Sequence, residues 1–342
     1  MSAEMNELLN ELRDSVQQVI DGTALLGADN TIWQQSLELG WLLTAIPEDL
    51  DGLGLGNTGA NAIHLELGKG LCGAPYLPAM LAAEALCQST ASDKSAWLAK
   101  LTGGELMTAP LADCTLTLSD TQTLSGTLSA VQSADSASYV LAWTSDSDKI
   151  FLIALNQDGI ETLARKTWDQ TRRFYDVHFK ELPLAQQTLL ADGKQASELI
   201  NSLLAQRDFA LAADAIGGAS ALLAMTVDHL KTRVQFRRPL AMFQSLKHRC
   251  ADMKAITAAS EAMLFDSLHS AAPEQKAAAA KLLACNSFAK VAEESLQLHG
   301  GIGMADEHPC HLFLKRAMLN MHLGRGGDVY EQNIAEAFLA SA

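Results

Sequence analysis

The chain has 342 residues, of which 25 are Lys or Arg and 40 are Asp or Glu, so its formal net charge is −15 at neutral pH. This acidic balance argues against a nucleic-acid-binding protein, which needs a cationic surface to hold phosphates. A hydrophobic fraction of 48% with 19% charged residues is typical of a globular protein. A chain of this length predicts two or three packed units.

The N-terminal segment and the cysteines indicate a cytoplasmic protein. Residues 1–20 mix acids with apolar residues at helical spacing, which is unlike the basic head and apolar core of a signal peptide. We see no apolar run of ~20 residues, so no membrane insertion is expected. The cysteines are scattered without a CxxC pair, which predicts reduced core thiols and neither a disulfide framework nor a metal site. They are Cys72, Cys87, Cys114, Cys250, Cys285 and Cys310.

The pattern of hydrophobic residues changes twice along the chain. Residues 1–104 are rich in Ala and Leu and predict helices, broken by a turn-forming stretch at 47–56. Residues 105–188 alternate apolar with polar side chains and contain the short apolar run 150–155, which predicts β-strands. The helical period returns over 189–342. This order predicts an α+β protein built from three units.

Two segments could carry chemistry. Residues 232–253 place three arginines within six positions after a predicted helix, and guanidinium groups bind diphosphates or carboxylates through paired hydrogen bonds. The alternative is an ion-pair cluster within the chain. Residues 297–303 place paired glycines after another helix, where exposed amides could contact a ligand or simply end the helix. The glycine pair Gly217 and Gly218 inside a helical stretch is best explained by close helix packing.

Together these segments resemble the acyl-CoA dehydrogenase family over nearly the whole chain. Residues 41–54 resemble the family's "vPEe.GG.G" segment, residues 232–253 resemble "R.QFG.P...FQ...H.lADM", and residues 297–303 resemble "Q..GG.G". The resemblance implies an N-terminal helical domain, a central β-barrel-like domain and a C-terminal four-helix-bundle domain that also forms the oligomer core.

The resemblance also implies FAD as cofactor and α,β-dehydrogenation of an acyl-CoA thioester as the reaction. In the family a carboxylate removes the α proton, the β hydrogen leaves as hydride to the flavin, and hydrogen bonds to the thioester oxygen stabilise the transition state. The ADP half of FAD reaches into the neighbouring subunit. The matching positions, which we call the ADP-side residues, are Arg233, Gln235, Phe236, Gln297, Leu298, Gly300 and Gly301.

The catalytic base of the family has no counterpart at the expected positions. The usual glutamate lies nine residues beyond the arginine that matches Arg316, where this chain has Arg325. An alternative base precedes the arginine that matches Arg207, where this chain has Gln206. Neither side chain can remove a proton, and only a six-residue shift of the alignment would make Glu331 the base.

The segments that face the flavin in the family also depart from its pattern. Residues 108–115 keep only a fragment of "TEP..GSD", and residues 125–131 lack the aromatic residue of "K.wIT". A chain that keeps the ADP-side residues but lacks the base could complete the site of a partner. It resembles the shorter subunit of α2β2 acyl-CoA dehydrogenases of steroid-CoA degradation, through residues 168–173, 307–316 and 324–328.

The leading hypothesis is therefore a subunit of a heterotetrameric, FAD-dependent acyl-CoA dehydrogenase of lipid metabolism whose base lies on a homologous partner chain. A steroid or another bulky acyl-CoA is the implied substrate, and electron-transfer flavoprotein is the implied acceptor. One alternative is a self-sufficient homotetramer that uses Glu331 or Asp328. Another is a flavin-free structural or regulatory homologue.

Overall fold

A computed structural model of the chain describes residues 3–23, 25–27, 29–112, 114–270 and 273–340. Helices precede and follow a set of strands, as the hydrophobic pattern predicted. The mixed helix and sheet fold, with a helical N-terminal part, a central sheet part and a helical C-terminal part, is confirmed.

The N-terminal helices wrap around an apolar core. Val16 of the first helix and Trp41 in a short 3₁₀ helix are both fully buried. Gly52 makes the predicted turn possible because a Cβ atom there would overlap the carbonyl of Ile46 at 1.9 Å. The helices are α1 (Ala3–Asp21), α2 (Asp29–Glu38), α3 (Gly56–Lys69), α4 (Tyr76–Gln88) and α5 (Lys94–Thr102).

The central part contains two four-stranded sheets, ordered β1-β4-β5-β8 and β2-β3-β7-β6. A bridge between Leu116 and Thr144 joins the sheets at one edge, which explains the barrel-like character implied by the resemblance. The last strand extends four residues beyond residue 188. The strands are β1 (Met107–Thr108), β2 (Thr117–Leu118), β3 (Thr123–Gln132), β4 (Tyr139–Trp143), β5 (Lys149–Ala154), β6 (Ile160–Arg165), β7 (Phe174–Pro183) and β8 (Thr188–Asp192).

In the described residues, the C-terminal part packs three long helices and a shorter one against one another, and a further short helix follows at its end. A small hairpin of two strands follows the first of these helices. The elements are α6 (Gly193–Thr232), β9 (Val234–Gln235), β10 (Arg238–Pro239), α7 (Gln244–Leu268), α8 (Pro273–His299), α9 (Cys310–His322) and α10 (Gly327–Ala340).

Helix α6 corrects one detail of the sequence analysis. It is long and apolar enough to cross a membrane by length and composition, although we saw no such run in the sequence. Its most apolar window is 72% buried inside the protein, so the apolar character is explained by packing in the core. Gly217 and Gly218 permit that packing, because Cβ atoms there would meet the Leu65 carbonyl at 1.9 Å and the Phe288 ring at 2.5 Å.

A buried ionic cluster connects the three parts of the chain. Arg316 of α9 donates to Asp169 at 3.0 Å and to Asp214 of α6 at 3.0 Å, and it also donates to the backbone carbonyl of Leu71 at 2.7 Å. Arg172 donates to Asp214 at 2.8 Å. The segment 168–173, which we had interpreted as a mark of a subfamily, therefore has a structural role in joining the sheets to the C-terminal helices.

Candidate functional site

The hairpin after α6 holds an exposed aromatic side chain in a strained turn. Gln235 pairs with Arg238 across the two strands, and the turn residues Phe236 and Arg237 have φ values of 51° and 62°. This left-handed backbone costs roughly 1–2 kcal/mol for each non-glycine residue. The Phe236 side chain is 84% exposed. Strain at an exposed aromatic residue points to a binding role.

The strain has a clear origin in the sequence. Arg237 stands at the position of the glycine in the "QFG" motif, and glycine adopts positive φ without a steric penalty. Phe243 packs against the hairpin. Its ring lies edge-on to the Phe236 ring, with 6.0 Å between the ring centroids, and the Arg238 guanidinium lies 4.0 Å from the centroid of the Phe243 ring. The turn therefore keeps its shape without the glycine.

The arginine cluster is not an internal ion-pair network. Among the described residues, Arg233, Arg237 and Arg238 form no ion pair, and all three side chains are exposed. Arg233 is held through its backbone, since its N–H donates to the carbonyl of His229 at 2.8 Å and its carbonyl accepts from Leu240 at 2.9 Å. An exposed cationic group of this kind, in a chain of net charge −15, suits an anionic ligand such as a diphosphate.

The end of α8 provides the second half of the predicted ADP site. Gln297 is exposed, whereas Leu298 is 7% exposed, so the Leu298 side chain lies in the core and only its backbone could contact a ligand. Gly300 has φ 66° and ends the helix, as the C-cap alternative predicted. A Cβ atom at Gly300 or Gly301 would meet nothing within 4 Å. The open backbone at Gly301 leaves room for a ligand.

These observations fit the ADP half of FAD. Arg233 could bind the diphosphate, Gln235 and Gln297 offer amide donors and acceptors, and Phe236 offers a flat face for an adenine. All four side chains are exposed. The structure thus leaves the ADP-side residues, except the Leu298 side chain, on the surface where a partner could meet them.

The positions expected for a catalytic base contain no usable carboxylate. Gln206 is 5% exposed on α6, and Arg325 lies in the loop between α9 and α10, where it lines two cavities of about 290 and 390 Å³. Glu331 and Asp328 are exposed on α10 and line neither cavity.

The carboxylate that does reach the smaller cavity is Asp208, which the sequence analysis missed because it follows Arg207 instead of preceding it. Its Oδ1 accepts from Arg207 Nε at 3.0 Å and from the Tyr330 hydroxyl at 2.8 Å. This oxygen of Asp208 is therefore already engaged by two donors of the chain itself.

The two flavin-facing segments are packed against the loop of Arg325. The Gly324 N–H donates to the Leu111 carbonyl at 2.7 Å, and the Leu111 N–H donates to the Ala130 carbonyl at 3.1 Å. Leu111 is fully buried, and Pro110 bridges to Val131. Asp113 of this segment lies outside the described residues. These backbone bonds tie the two segments to each other and to the loop of Arg325.

Comparison with known proteins gives the family. The model of the acyl-CoA dehydrogenase N-terminal domain matches residues 2–105, and the model of the C-terminal domain matches residues 198–339. Acyl-CoA dehydrogenase IpdE2 of Mycobacterium tuberculosis is 33% identical over 293 residues, which cover 85% of this chain and 81% of that relative.

Solved structures share the fold over the whole chain. The "Tcur3481-Tcur3483 steroid ACAD G363A variant" superposes with a TM-score of 0.84 at 25% identity, covering 99% of this chain and 100% of its own. The ChsE4-ChsE5 complex from Mycobacterium tuberculosis has the same fold, with a TM-score of 0.83 at 22% identity and coverage of 99% and 98%. The chain therefore belongs to the acyl-CoA dehydrogenase family, whose members are FAD-dependent flavoproteins.

Proposed function

We propose that this chain is a subunit of a heteromeric acyl-CoA dehydrogenase and that it contributes the ADP-side contacts to an active site on a homologous partner chain. The observation that carries the proposal is a contrast between the ADP-side residues and the base positions. The ADP-side residues Arg233 and Gln235 are exposed, whereas the two positions expected for a catalytic base are occupied by Gln206 and Arg325.

The chemistry divides between the two chains accordingly. FAD, when bound, accepts the β hydrogen of the acyl-CoA as hydride. This chain supplies no base at Gln206 or Arg325, so the carboxylate that removes the α proton would come from the partner. The Arg233 guanidinium would bind the diphosphate by charge-assisted hydrogen bonds, and Phe236 would stack on the adenine.

The relatives support the finer details of the proposal. One structural neighbour is the steroid ACAD Tcur3481-Tcur3483, and another is the ChsE4-ChsE5 complex. We therefore propose a steroid or another bulky acyl-CoA as substrate and an α2β2 heterotetramer as the assembly. Electron-transfer flavoprotein, which the resemblance implied, is the proposed acceptor. A cytoplasmic location, which the N-terminal segment and the scattered cysteines indicated, completes the proposal.

A self-sufficient homotetramer is the second candidate, because one observation favours it: Asp208 places a carboxylate beside a cavity. Arg207 and Tyr330 both donate to Oδ1 of that carboxylate, so this oxygen is engaged within the chain. The two acids named from the sequence, Glu331 and Asp328, are exposed. A flavin-free homologue would not explain why the exposed Phe236 has a strained backbone.

Glu331→Gln tests where the base lies. A positioned base contributes about 10²–10⁴-fold to the rate. We expect acyl-CoA oxidation by the co-purified complex to be the same for Glu331→Gln and for the wild-type chain, measured with an artificial electron acceptor. Asp208→Asn gives the matched test of the other acid. If the isolated chain oxidised acyl-CoA and either substitution abolished that activity, the heteromer proposal would be wrong and the chain would be a self-sufficient enzyme.

A further inference from the structure

Three histidine rings lie against one another at the base of the predicted ADP site. The rings of His229 and His299 are stacked, with 4.5 Å between centroids and 29° between planes. His308 packs on His299 at 4.7 Å and 56°. We call these residues the histidine stack. Within the described ranges, no group of His, Cys, Asp and Glu side chains is suited to hold a metal ion, so ligand chemistry of that kind does not explain the stack.

The histidine stack joins the two halves of the ADP site. His229 lies in the last turn of α6, and its carbonyl accepts the Arg233 N–H at 2.8 Å. His299 is the last residue of α8, directly before Gly300. The contact between the two rings therefore fixes the start of the hairpin relative to the turn at Gly300 and Gly301.

One hydrogen bond in the stack requires an uncharged ring. His308 Nδ1 accepts the N–H of Cys310 at 3.2 Å, and this acceptor would be lost on protonation. The bond lies at the N-terminus of α9, where the helix dipole also disfavours a cation. His299 Nδ1 donates to the Ser295 carbonyl at 2.8 Å, while its Nε2 is buried without a hydrogen-bond partner.

Burial and nearby groups also disfavour protonation of His229 and His308. Burial, the other rings of the stack and Arg233 hold the pKa of His229 below 6.5. Burial, His299 and His311 hold the pKa of His308 below 6.5. Burial raises the pKa of the Cys310 thiol to about 11, so this thiol is neutral. The nearby carboxylates do not compensate, since Asp228 pairs with Lys231 at 3.0 Å and both Asp306 and Glu307 are exposed.

We propose that His229, His299 and His308 are positioning residues that hold the hairpin beside the Gly300 turn, and that protonation of His229 or His308 separates the rings. The inference rests on the proposed function, because the ligand that senses the separation is the ADP half of FAD. Because the pKa values of His229 and His308 lie below the unfolded value of about 6.5, these two rings contribute stability near neutral pH and lose it progressively as the pH falls below 6.5.

His229→Phe tests the proposal in the complex with its partner chain, because phenylalanine keeps a flat ring but cannot take up a proton. We expect the dissociation constant for FAD, measured by flavin fluorescence, to rise about tenfold between about pH 7.5 and about pH 5.5 in the wild type. We expect His229→Phe to reduce this rise to less than about threefold. His322→Phe, an exposed histidine in the last turn of α9, is the matched control and should keep the wild-type pH dependence.

Hydrogen exchange on the isolated chain provides a readout that needs no flavin. On acidification, the amides of residues 233–238 and 300–303 should lose protection in the wild type, after correction for intrinsic rates, and should keep it in His229→Phe. Equal loss in both chains would overturn the proposal, as would a tenfold rise in the dissociation constant that His229→Phe leaves unchanged. A complex that binds no FAD at any pH would defeat the proposed function, and the exchange result alone would then decide the role of the stack.

Discussion

Replacement of Arg233 by alanine should lower the affinity of the complex for FAD by about 10–100-fold, because a charge-assisted hydrogen bond to a charged group contributes about 1.5–3 kcal/mol. The Arg233 side chain is exposed and forms no ion pair among the described residues, so its removal breaks no contact that stabilises this chain. The loss should therefore appear in flavin content after gel filtration, with the complex still assembled and the melting temperature of the chain unchanged.

Lys231→Ala is the matched control for this variant. Lys231 is an exposed cation two residues earlier, and it pairs with Asp228 at 3.0 Å on the last turn of α6. The substitution removes the same charge from the same end of the molecule but leaves the hairpin intact. If Lys231→Ala lowered flavin content as much as Arg233→Ala, the loss of flavin would come from the loss of a positive charge at this end of the molecule. The assignment of Arg233 to the diphosphate would then be wrong.

The Asp214→Asn substitution should destabilise the fold by about 3–5 kcal/mol, since it removes the anion between two buried guanidinium groups. Arg172 and Arg316 both donate to Asp214 Oδ1, at 2.8 and 3.0 Å, and Asn320 donates to its Oδ2 at 2.6 Å. Burial alone would raise the pKa of Asp214, but the two arginines hold it below the usual value. The carboxylate is therefore ionised in the native protein at neutral pH.

The effect should be visible as a lower urea midpoint, because domains are stable by only about 5–15 kcal/mol. Asp228→Asn gives the matched control on the same helix: Asp228 pairs with exposed Lys231, and surface ion pairs contribute about 0–1 kcal/mol. Equal midpoints for Asp214→Asn and Asp228→Asn would show that the buried cluster does not hold the three parts of the chain together.

The fold was predictable because its signals are local. Alternating apolar residues such as Leu124, Leu128 and Val177 predicted strands, and each of these three side chains is fully buried. The glycine pair at 217 and 218 predicted close helix packing, and the positions of their absent Cβ atoms confirm it.

The buried ionic cluster was not predictable from local patterns. Arg316 bonds to the backbone of Leu71, which is 245 residues away along the chain, and no hydrophobic period encodes such a contact. Asp208 was missed for a related reason, because only the folded chain brings its carboxylate to Tyr330. The ADP-side residues came from motif resemblance, which gave their positions but not the exposure of Phe236 or the burial of Leu298.

Flavin content per chain tests the central claim most directly. The visible absorbance of bound flavin should be measured for this protein purified alone and again after co-expression with a homologous dehydrogenase chain. Because the proposal places the ADP half of FAD across the interface between two chains, it predicts no flavin in the isolated protein and about one flavin per pair of chains in the complex. One flavin per chain in the isolated protein would contradict the account and would place a complete site within this sequence.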